Sequence, residues 1–287
     1  MPDARARLAS VEIGGRASVA VMGVINVSPE SFHPGSVYGG DAVLRVALEM
    51  VEAGASLVDV GARSTAPYRQ TEISETEEAE RLARAVERLA DKLPVPISAD
   101  TARPAAARAA LEAGARVLND VSTLAEPALA QEVVAHDASL ITMAAPVAGC
   151  ALGEPVASVR ALLADALTRA QAAGIPDERI VLDPGIGFFR EAPVAWHAWD
   201  VAVLAGLPAL RELGRPLCVG VSRKSFLGAL TGRRDPGERL SASLAATAVA
   251  VWQGAAVIRT HDVAQTVDAV RVAERLAAAR RSLGATA

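Results

Sequence analysis

The chain has 287 residues, of which 51% are hydrophobic and 22% are charged, and its formal net charge at pH 7 is −4. This composition is typical of a globular protein with a full core and excludes a disordered chain. The small acidic excess gives no reason to expect a nucleic acid partner, which needs a basic surface. No apolar run approaches the roughly 20 residues of a membrane span, so we expect no membrane association.

The two cysteines, Cys150 and Cys218, lie far apart and form no CxxC pair. We interpret both as buried thiols in a reducing compartment. The sequence therefore predicts a cytoplasmic protein.

Strand and helix patterns alternate along the chain. The predicted strands are almost continuously apolar, which is typical of parallel strands that are buried on both faces. In chain order they are Val19–Val24, Ser56–Gly61, Pro96–Asp100, Arg116–Asp120, Ser139–Met143, Ile180–Asp183, Leu217–Val221 and Ala256–Thr260. Helical stretches follow them at 41–53, 74–92, 103–113, 127–136, 157–173, 194–213, 237–253 and 264–283.

Gly54, Gly114 and Gly174 each stand between a helical stretch and the next strand, where a left-handed cap is expected. Eight strand–helix repeats in about 250 residues predict an α/β fold, a (β/α)8 TIM barrel, as one domain over residues 1–287. A doubly wound open sheet is the alternative. Neither a GxGxxG nor a Walker pattern is present to favour it.

Polar side chains stand at the carboxyl ends of the predicted strands, where a TIM barrel places its active site. Only the fifth strand ends in an apolar residue, Met143. The polar ends are Asn26, Asp59, Asp100, Asn119 with Asp120, Asp183, Ser222 to Lys224, and Arg259 with His261. Any one of them could be a helix cap, but the set predicts a site.

The set has an acidic and a basic half. Asp100, Asn119 and Asp183 offer two carboxylates and an amide, which suit the paired N–H donors of a flat heterocycle. The basic residues come from the last two strands, where barrels commonly bind phosphate; they are Lys224, Arg259 and His261. The pattern therefore predicts a heterocycle on one side and an oxyanion on the other.

Six ordered motifs resemble the dihydropteroate synthase family over nearly the whole chain. They are Met22–Phe32, Ser98–Thr101, Asn119–Val121, Asp183–Phe188, Ser222–Phe226 and Arg259–Val263. The resemblance implies a TIM-barrel transferase that joins 6-hydroxymethyl-7,8-dihydropterin pyrophosphate to an arylamine, normally p-aminobenzoate, and releases pyrophosphate with Mg²⁺. It also implies a homodimer.

The resemblance further implies residue roles. Asp100, Asn119 and Asp183 hold the edge of the pterin, and Lys224 reaches its carbonyl and ring nitrogen. The diphosphate and its Mg²⁺ are held by Asn26, Arg259 and His261, with Asn26 as the metal ligand. The remaining substrate contacts, on the arylamine side and around it, are Phe32, Ser222, Arg63, Thr65 and Met143.

Three loops depart from the family pattern. Where the family reads Gly-Gly-Glu-Ser-Thr-Arg-Pro, this chain has Ala66 for the arginine and Arg63 for the glutamate. Met143 is followed by Ala144 instead of histidine, and Pro34 stands in the altered first loop. Three hypotheses follow: a folate synthase in which Arg63 replaces the missing arginine, a synthase for a larger arylamine of the methanopterin pathway, or a pterin-binding paralogue without synthase activity.

Two other classes of barrel share some of these features. Pterin-binding methyltransferases that serve corrinoids usually have Ser-Asn where this chain has Arg223–Lys224, which disfavours them. Lys224 would serve as a Schiff-base lysine in an aldolase-like barrel only with a depressed pKa. Of the remaining acids, we expect Asp120 to support structure, whereas Asp59 is either catalytic or a support for its neighbours.

Overall fold

The computed structural model describes residues 4–27, 42–63, 73–146 and 152–284. The strands are β1 (Arg5–Leu8), β2 (Val11–Gly14), β3 (Ala20–Asn26), β4 (Leu57–Gly61), β5 (Ile97–Asp100), β6 (Val117–Asp120), β7 (Ser139–Met143), β8 (Ile180–Asp183), β9 (Cys218–Gly220) and β10 (Val257–Thr260). The helices are α1 (Ala42–Glu52), α2 (Glu75–Ala90), α3 (Pro104–Glu112), α4 (Pro127–Ala135), α5 (Pro155–Ala172), α6 (Trp196–Ala205), α7 (Leu207–Leu210), α8 (Ser225–Thr231), α9 (Leu240–Trp252) and α10 (Val263–Gly284).

Strands β3 to β10 form one parallel sheet in the order β8-β7-β6-β5-β4-β3-β10-β9. The two ends of this order are joined by a single bridge between Leu182 and Leu217, where the Leu182 amide donates to the Pro216 carbonyl at 3.0 Å. The sheet is thus nearly closed, with helices between its strands, and the predicted TIM barrel is confirmed. All eight predicted strands are present, with ends within two residues of the predicted ones. That residues 1–287 form one domain stays a prediction.

An antiparallel hairpin, β1–β2, precedes the barrel and was not predicted. Its inward side chains, Ala6, Leu8 and Ile13, are buried in one apolar cluster with the lower interior of the barrel. Ser139 at the start of β7 fixes it further, because its hydroxyl donates to the Arg7 carbonyl at 2.9 Å and accepts from the Ala9 amide at 3.0 Å. The hairpin therefore closes the amino-terminal end of the barrel. Its strands are only four residues long, and the exposed residues Arg5, Arg7 and Glu12 alternate with the buried ones, so the segment has a polar sequence pattern.

Two of the predicted helices differ from the observed ones. The stretch 194–213 is divided at Gly206 into α6 and α7, and Pro208 lies in the first turn of α7. The stretch 237–253 begins as α9 only at Leu240, after a short helix, α8, that was not predicted. Gly228 lies within α8 and lowers its helix propensity, which hid the helix. No helix in the described part of the chain is both long and apolar enough to cross a membrane.

Candidate active site

Side-chain alternation places the polar strand ends inside the mouth of the barrel. The apolar cluster that the hairpin forms with the lower interior of the barrel marks which side of each strand faces inward, and residues two positions apart share a face. On four strands an inward apolar residue is followed two positions later by a polar one: Leu57 by Asp59, Val117 by Asn119, Val181 by Asp183 and Val257 by Arg259. The interior is therefore apolar below and polar at its carboxyl-terminal end.

The register of the sheet brings the first four strands of the barrel together at one level. Asn26 pairs with Gly61, Gly61 with Asp100, and Asp100 with Asn119. A Cβ placed on Gly61 would lie 3.5 Å from Asn26 Oδ1 and 3.7 Å from Asp100 Oδ2. Asn26 and Asp100 therefore converge beside a residue without a side chain, and Asn119 lies next to Asp100 on the following strand.

Arg259 is the cation at the centre of this group. Its Nε donates to Asp59 Oδ2 at 2.7 Å and its Nη2 donates to Asp100 Oδ2 at 2.6 Å. Burial raises the pKa of Asp100 to about 7, against the pull of Arg259 and with a further increase from Asp59. The Arg259 guanidinium thus contacts one carboxylate of the acidic half, Asp100, and the Asp59 carboxylate. Its predicted role with the diphosphate stays a prediction.

Asp183 and Lys224 form the opposite side of the mouth. Asp183 Oδ1 accepts from the Gly185 amide at 2.8 Å, and burial raises the pKa of the Asp183 carboxyl while Lys224 lowers it. The Lys224 ammonium donates to the Ile186 carbonyl and lies 4.7 Å from the centroid of the Phe188 ring. Burial lowers the pKa of Lys224 to about 8, against the attraction of Asp183, so most of the lysine carries its charge at pH 7.

A second carboxylate near Lys224, Asp200, was missed by sequence reasoning. It lies buried on α6 and accepts from the Gly187 amide at 2.7 Å. Its charge raises the pKa of Lys224. Asp200 follows no strand, so the strand-end pattern offers no signal for it.

Ser222 and His261 lie together just beyond the carboxyl ends of β9 and β10. The Ser222 hydroxyl lies 3.0 Å from His261 Nδ1 and accepts from the His261 amide at 3.2 Å. The neighbouring Arg223 pairs with both carboxylate oxygens of Asp262, at 2.9 and 2.6 Å, and donates to the carbonyls of Pro236 and Gly237. Arg223 therefore fixes the loop that carries Ser222 and Lys224.

The remaining strand-end residues divide between the site and its support. Met143 is buried and pairs with Asp183 across β7 and β8. Asp120 accepts from the amide and hydroxyl of Ser122, the Leu124 amide and the Thr142 hydroxyl. All of these donors belong to the loop after β6 or to β7. Asp120 has the structural role that the sequence suggested.

Arg63, which stands where the family has glutamate, is tied to a buried acid. Its Nε donates to Glu78 Oε2 at 3.0 Å, and Glu78 is 1% exposed. Glu78 also accepts from the Thr101 hydroxyl at 2.6 Å and pairs with Arg103 at 3.1 Å. Two guanidinium groups thus share one carboxylate beside the end of β5, where Arg63 and Glu78 also act on the charge of Asp100.

Several predicted features lie outside the described residues: Phe32, Pro34, Thr65, Ala66 and Cys150. Cys218 is described and is buried in the barrel interior. Within the four described ranges, no cluster of three or more His, Cys, Asp or Glu side chains is arranged to hold a metal ion.

Comparison with known proteins tests the family directly. Residues 22–261 match the family described as pterin binding enzyme. The dihydropteroate synthase of Escherichia coli strain K12 is 36% identical over 270 residues, which cover 91% of this chain and 93% of the relative. The chain belongs to the dihydropteroate synthase family. The resemblance drawn from the six motifs is confirmed.

Solved dihydropteroate synthases share the whole architecture. The Xanthomonas albilineans dihydropteroate synthase with 4-aminobenzoic acid has a TM-score of 0.84 and 36% identity, covering 96% of this chain and 98% of that one. The same enzyme in complex with 7,8-dihydropteroate has a TM-score of 0.81 and covers 95% of this chain and 98% of that one. The dihydropteroate synthase fold thus accounts for nearly all of the chain.

Proposed function

We propose that the protein joins 6-hydroxymethyl-7,8-dihydropterin pyrophosphate to p-aminobenzoate, releases pyrophosphate, and serves folate biosynthesis. The observation that carries the proposal is the convergence of Asp100, Asn119 and Asp183 at one barrel mouth, with Lys224 beside Asp183. The names of the relatives support it, since a similar synthase has been solved with 4-aminobenzoic acid and with 7,8-dihydropteroate.

The acidic half suits the pterin ring by its hydrogen-bond chemistry. A pterin presents adjacent N–H and NH₂ donors on its pyrimidine edge, and buried carboxylates need such donors to offset their desolvation. Asp100 Oδ1 has no hydrogen-bond partner among the described residues and is one acceptor for this edge. Lys224 supplies the complementary cation for the ring carbonyl.

The reaction exchanges one bond for another at the exocyclic methylene carbon. The bond from this carbon to the diphosphate oxygen breaks, the amine nitrogen forms a bond to the same carbon, and the amine loses a proton to solvent. The electron-rich pterin shares positive charge as the diphosphate departs. This chain contributes chiefly orientation of the two substrates and cationic stabilisation of the leaving group by Arg259 and His261, and it needs no covalent nucleophile.

The donor set at the end of β3 fits a magnesium ion that is held jointly with substrate. Mg²⁺ prefers oxygen ligands and usually takes one or two from the protein and the rest from phosphates and water. The Asn26 side-chain oxygen, beside Gly61 and Asp100, would hold it together with the diphosphate. When bound, the ion neutralises charge on the leaving group.

We also propose a homodimer formed through α9 and α10. These helices pack together, and they leave large apolar side chains exposed: Val249 by 44%, Trp252 by 39%, Val272 by 61% and Leu276 by 58%. Val272 and Leu276 are one turn apart on the same face of α10. Light scattering is expected to give the molar mass of a dimer for the wild-type protein, and that of a monomer for Leu276→Glu.

We place the enzyme in the cytoplasm, where a buried unpaired thiol such as Cys218 stays reduced. The activity test is pyrophosphate release with p-aminobenzoate and, separately, with a larger ribofuranosyl-aminobenzene phosphate. Turnover of p-aminobenzoate supports the proposal. Turnover of only the larger amine would move the enzyme to the methanopterin pathway, which the altered residues Arg63 and Ala144 make worth testing.

A variant links the activity to the site. Asp183→Ala removes a buried charged acceptor, so pterin affinity is expected to fall by several kcal/mol, in the range of about 2–5. Asp165→Ala, on the exposed face of α5, is the control and is expected to behave as wild type. Normal pterin affinity in Asp183→Ala would show that Asp183 does not line the pterin pocket.

A further inference from the structure

Asp59 lies directly beneath the residues proposed to bind the pterin. It is fully buried on β4, two positions before Gly61 and therefore on the same inward face, one layer lower. Its Oδ2 accepts from both Asn119 Nδ2, at 3.2 Å, and Arg259 Nε, at 2.7 Å. One carboxylate oxygen thus joins β4 to both β6 and β10.

The first consequence concerns the Asn119 amide, which has a donor end and an acceptor end. An ionised carboxylate only accepts hydrogen bonds, so Asp59 fixes the nitrogen of Asn119 toward itself. The carbonyl oxygen of Asn119 is then the end that remains for a ligand. Asn119 therefore acts as an acceptor together with Asp100 and Asp183, which matches the donor-rich edge of a pterin.

The second consequence concerns Arg259. Asp59 holds its Nε while Asp100 holds its Nη2 at 2.6 Å, so the plane of the guanidinium is fixed at two points. Its Nη1 makes no hydrogen bond to any residue in the described ranges and is the edge left for an anion. Without Asp59, the guanidinium would be held only by Asp100.

We propose that Asp59 is a positioning residue of the condensation, which commits Asn119 to accept from the pterin and holds Arg259 in register with Asp100. The proposal rests on the proposed pterin site. Asp59 contacts no substrate and acts only through these two side chains.

The test combines Asp59→Asn with ligand binding and kinetics. An asparagine at this position can donate as well as accept, so it no longer dictates the orientation of the Asn119 amide. We expect pterin affinity, measured by calorimetry with 6-hydroxymethylpterin, to fall by about tenfold or more. The KM for p-aminobenzoate is expected to stay unchanged. Ser98→Ala is the matched control, since Ser98 pairs with Asp59 on the next strand and its buried hydroxyl has no partner in the described chain.

A double-mutant cycle separates positioning from simple stabilisation. If Asp59 acts through Asn119, then Asp59→Asn costs clearly less pterin affinity in an Asn119→Ala background than in the wild type. Full additivity, or wild-type affinity in Asp59→Asn, would overturn the proposal. Should Asp59→Asn fail to fold, Asp59→Glu keeps the charge but displaces the acceptor, and the same two criteria apply to it. Because binding is measured without turnover, failure of the synthase assay alone would count against the proposed function and not against this inference.

Discussion

Arg259 Nη2 lies 2.6 Å from Asp100 Oδ2, and this contact joins the last strand of the barrel to β5. The pair sits in a buried environment that disfavours the ionised carboxyl, and the pKa of Asp100 is raised to about 7. Across the mouth, the pKa of Lys224 is lowered to about 8. The acceptor and the cation that we propose for the pterin are therefore expected to be charged together only in a narrow range of pH.

We predict that pterin affinity follows a bell-shaped pH profile. Below about pH 7, Asp100 holds a proton that the ligand must displace, so affinity rises as pH increases through 7. Above about pH 8, Lys224 loses its proton and affinity declines. Calorimetry in buffers of different ionisation enthalpy is expected to show proton release on binding at pH 6. Asp100→Asn is expected to remove the lower limb, and a flat profile between pH 5.5 and 9 in the wild type would contradict both assignments.

Gly187 gives a prediction about how Lys224 is held. This glycine has φ +89°, and a Cβ on it would lie 2.8 Å from Lys224 Cδ. Gly187→Ala is therefore expected to displace the lysine and weaken pterin binding by about tenfold, in addition to a destabilisation of about 1 kcal/mol or more from the positive φ. Gly214→Ala is a matched control, because Gly214 has φ +73° but nothing within 4 Å of the added Cβ. Equal pterin affinities in the two variants would show that the position of Lys224 does not depend on the space left by Gly187.

Arg63→Ala tests whether this residue replaces the missing loop arginine. The guanidinium is tied to Glu78 and not to Asp100, Asn119 or Asp183. We therefore expect turnover with p-aminobenzoate to fall by about tenfold or more, while the dissociation constant for the pterin stays nearly unchanged. Arg84→Ala, on the exposed side of α2, serves as the control. Unchanged turnover in Arg63→Ala would mean that the chain has lost the arginine function at Ala66 without replacement.

The hairpin under the barrel gives a stability prediction. Leu8 is fully buried against the lower interior, so Leu8→Ala is expected to lower the free energy of unfolding by about 2–5 kcal/mol. Arg7→Ala alters an exposed neighbour on the same strand and is expected to have little effect. Chemical denaturation measures both, and pterin affinity is expected to be unaffected, because the hairpin lies at the opposite end of the barrel. A loss in Leu8→Ala no larger than in Arg7→Ala would show that the hairpin adds little stability.

The barrel was predictable because its strands are buried on both faces. Such strands are continuously apolar, and a glycine cap precedes several of them, as at Gly54 and Gly114. The hairpin and α8 could not be predicted, for two different reasons. The hairpin buries only alternate residues over four-residue strands, and α8 is a seven-residue helix that contains Gly228.

Site residues were predictable where they directly follow a strand. They were harder to predict where they contact and position those residues from deeper in the barrel or from a neighbouring helix. Asp59 shares the two-residue alternation with Leu57 and Gly61, and that period was the available signal for its inward position. Glu78 and Asp200 lie on helices, where acids are ordinarily solvent-exposed, and their burial depends on tertiary packing that no local pattern records. The sequence pattern places Arg259 at the site but does not predict its pairing with Asp59, because the two residues lie 200 positions apart in the chain.

The single bridge between β8 and β9 has a consequence for how ligand and scaffold depend on each other. Asp183 ends β8 and Lys224 follows β9. A pterin bound by both residues would therefore stabilise the weakly paired junction between these two strands. Substrate would then tighten the very framework that recognises it, and amide exchange at Leu182 should slow in the loaded protein.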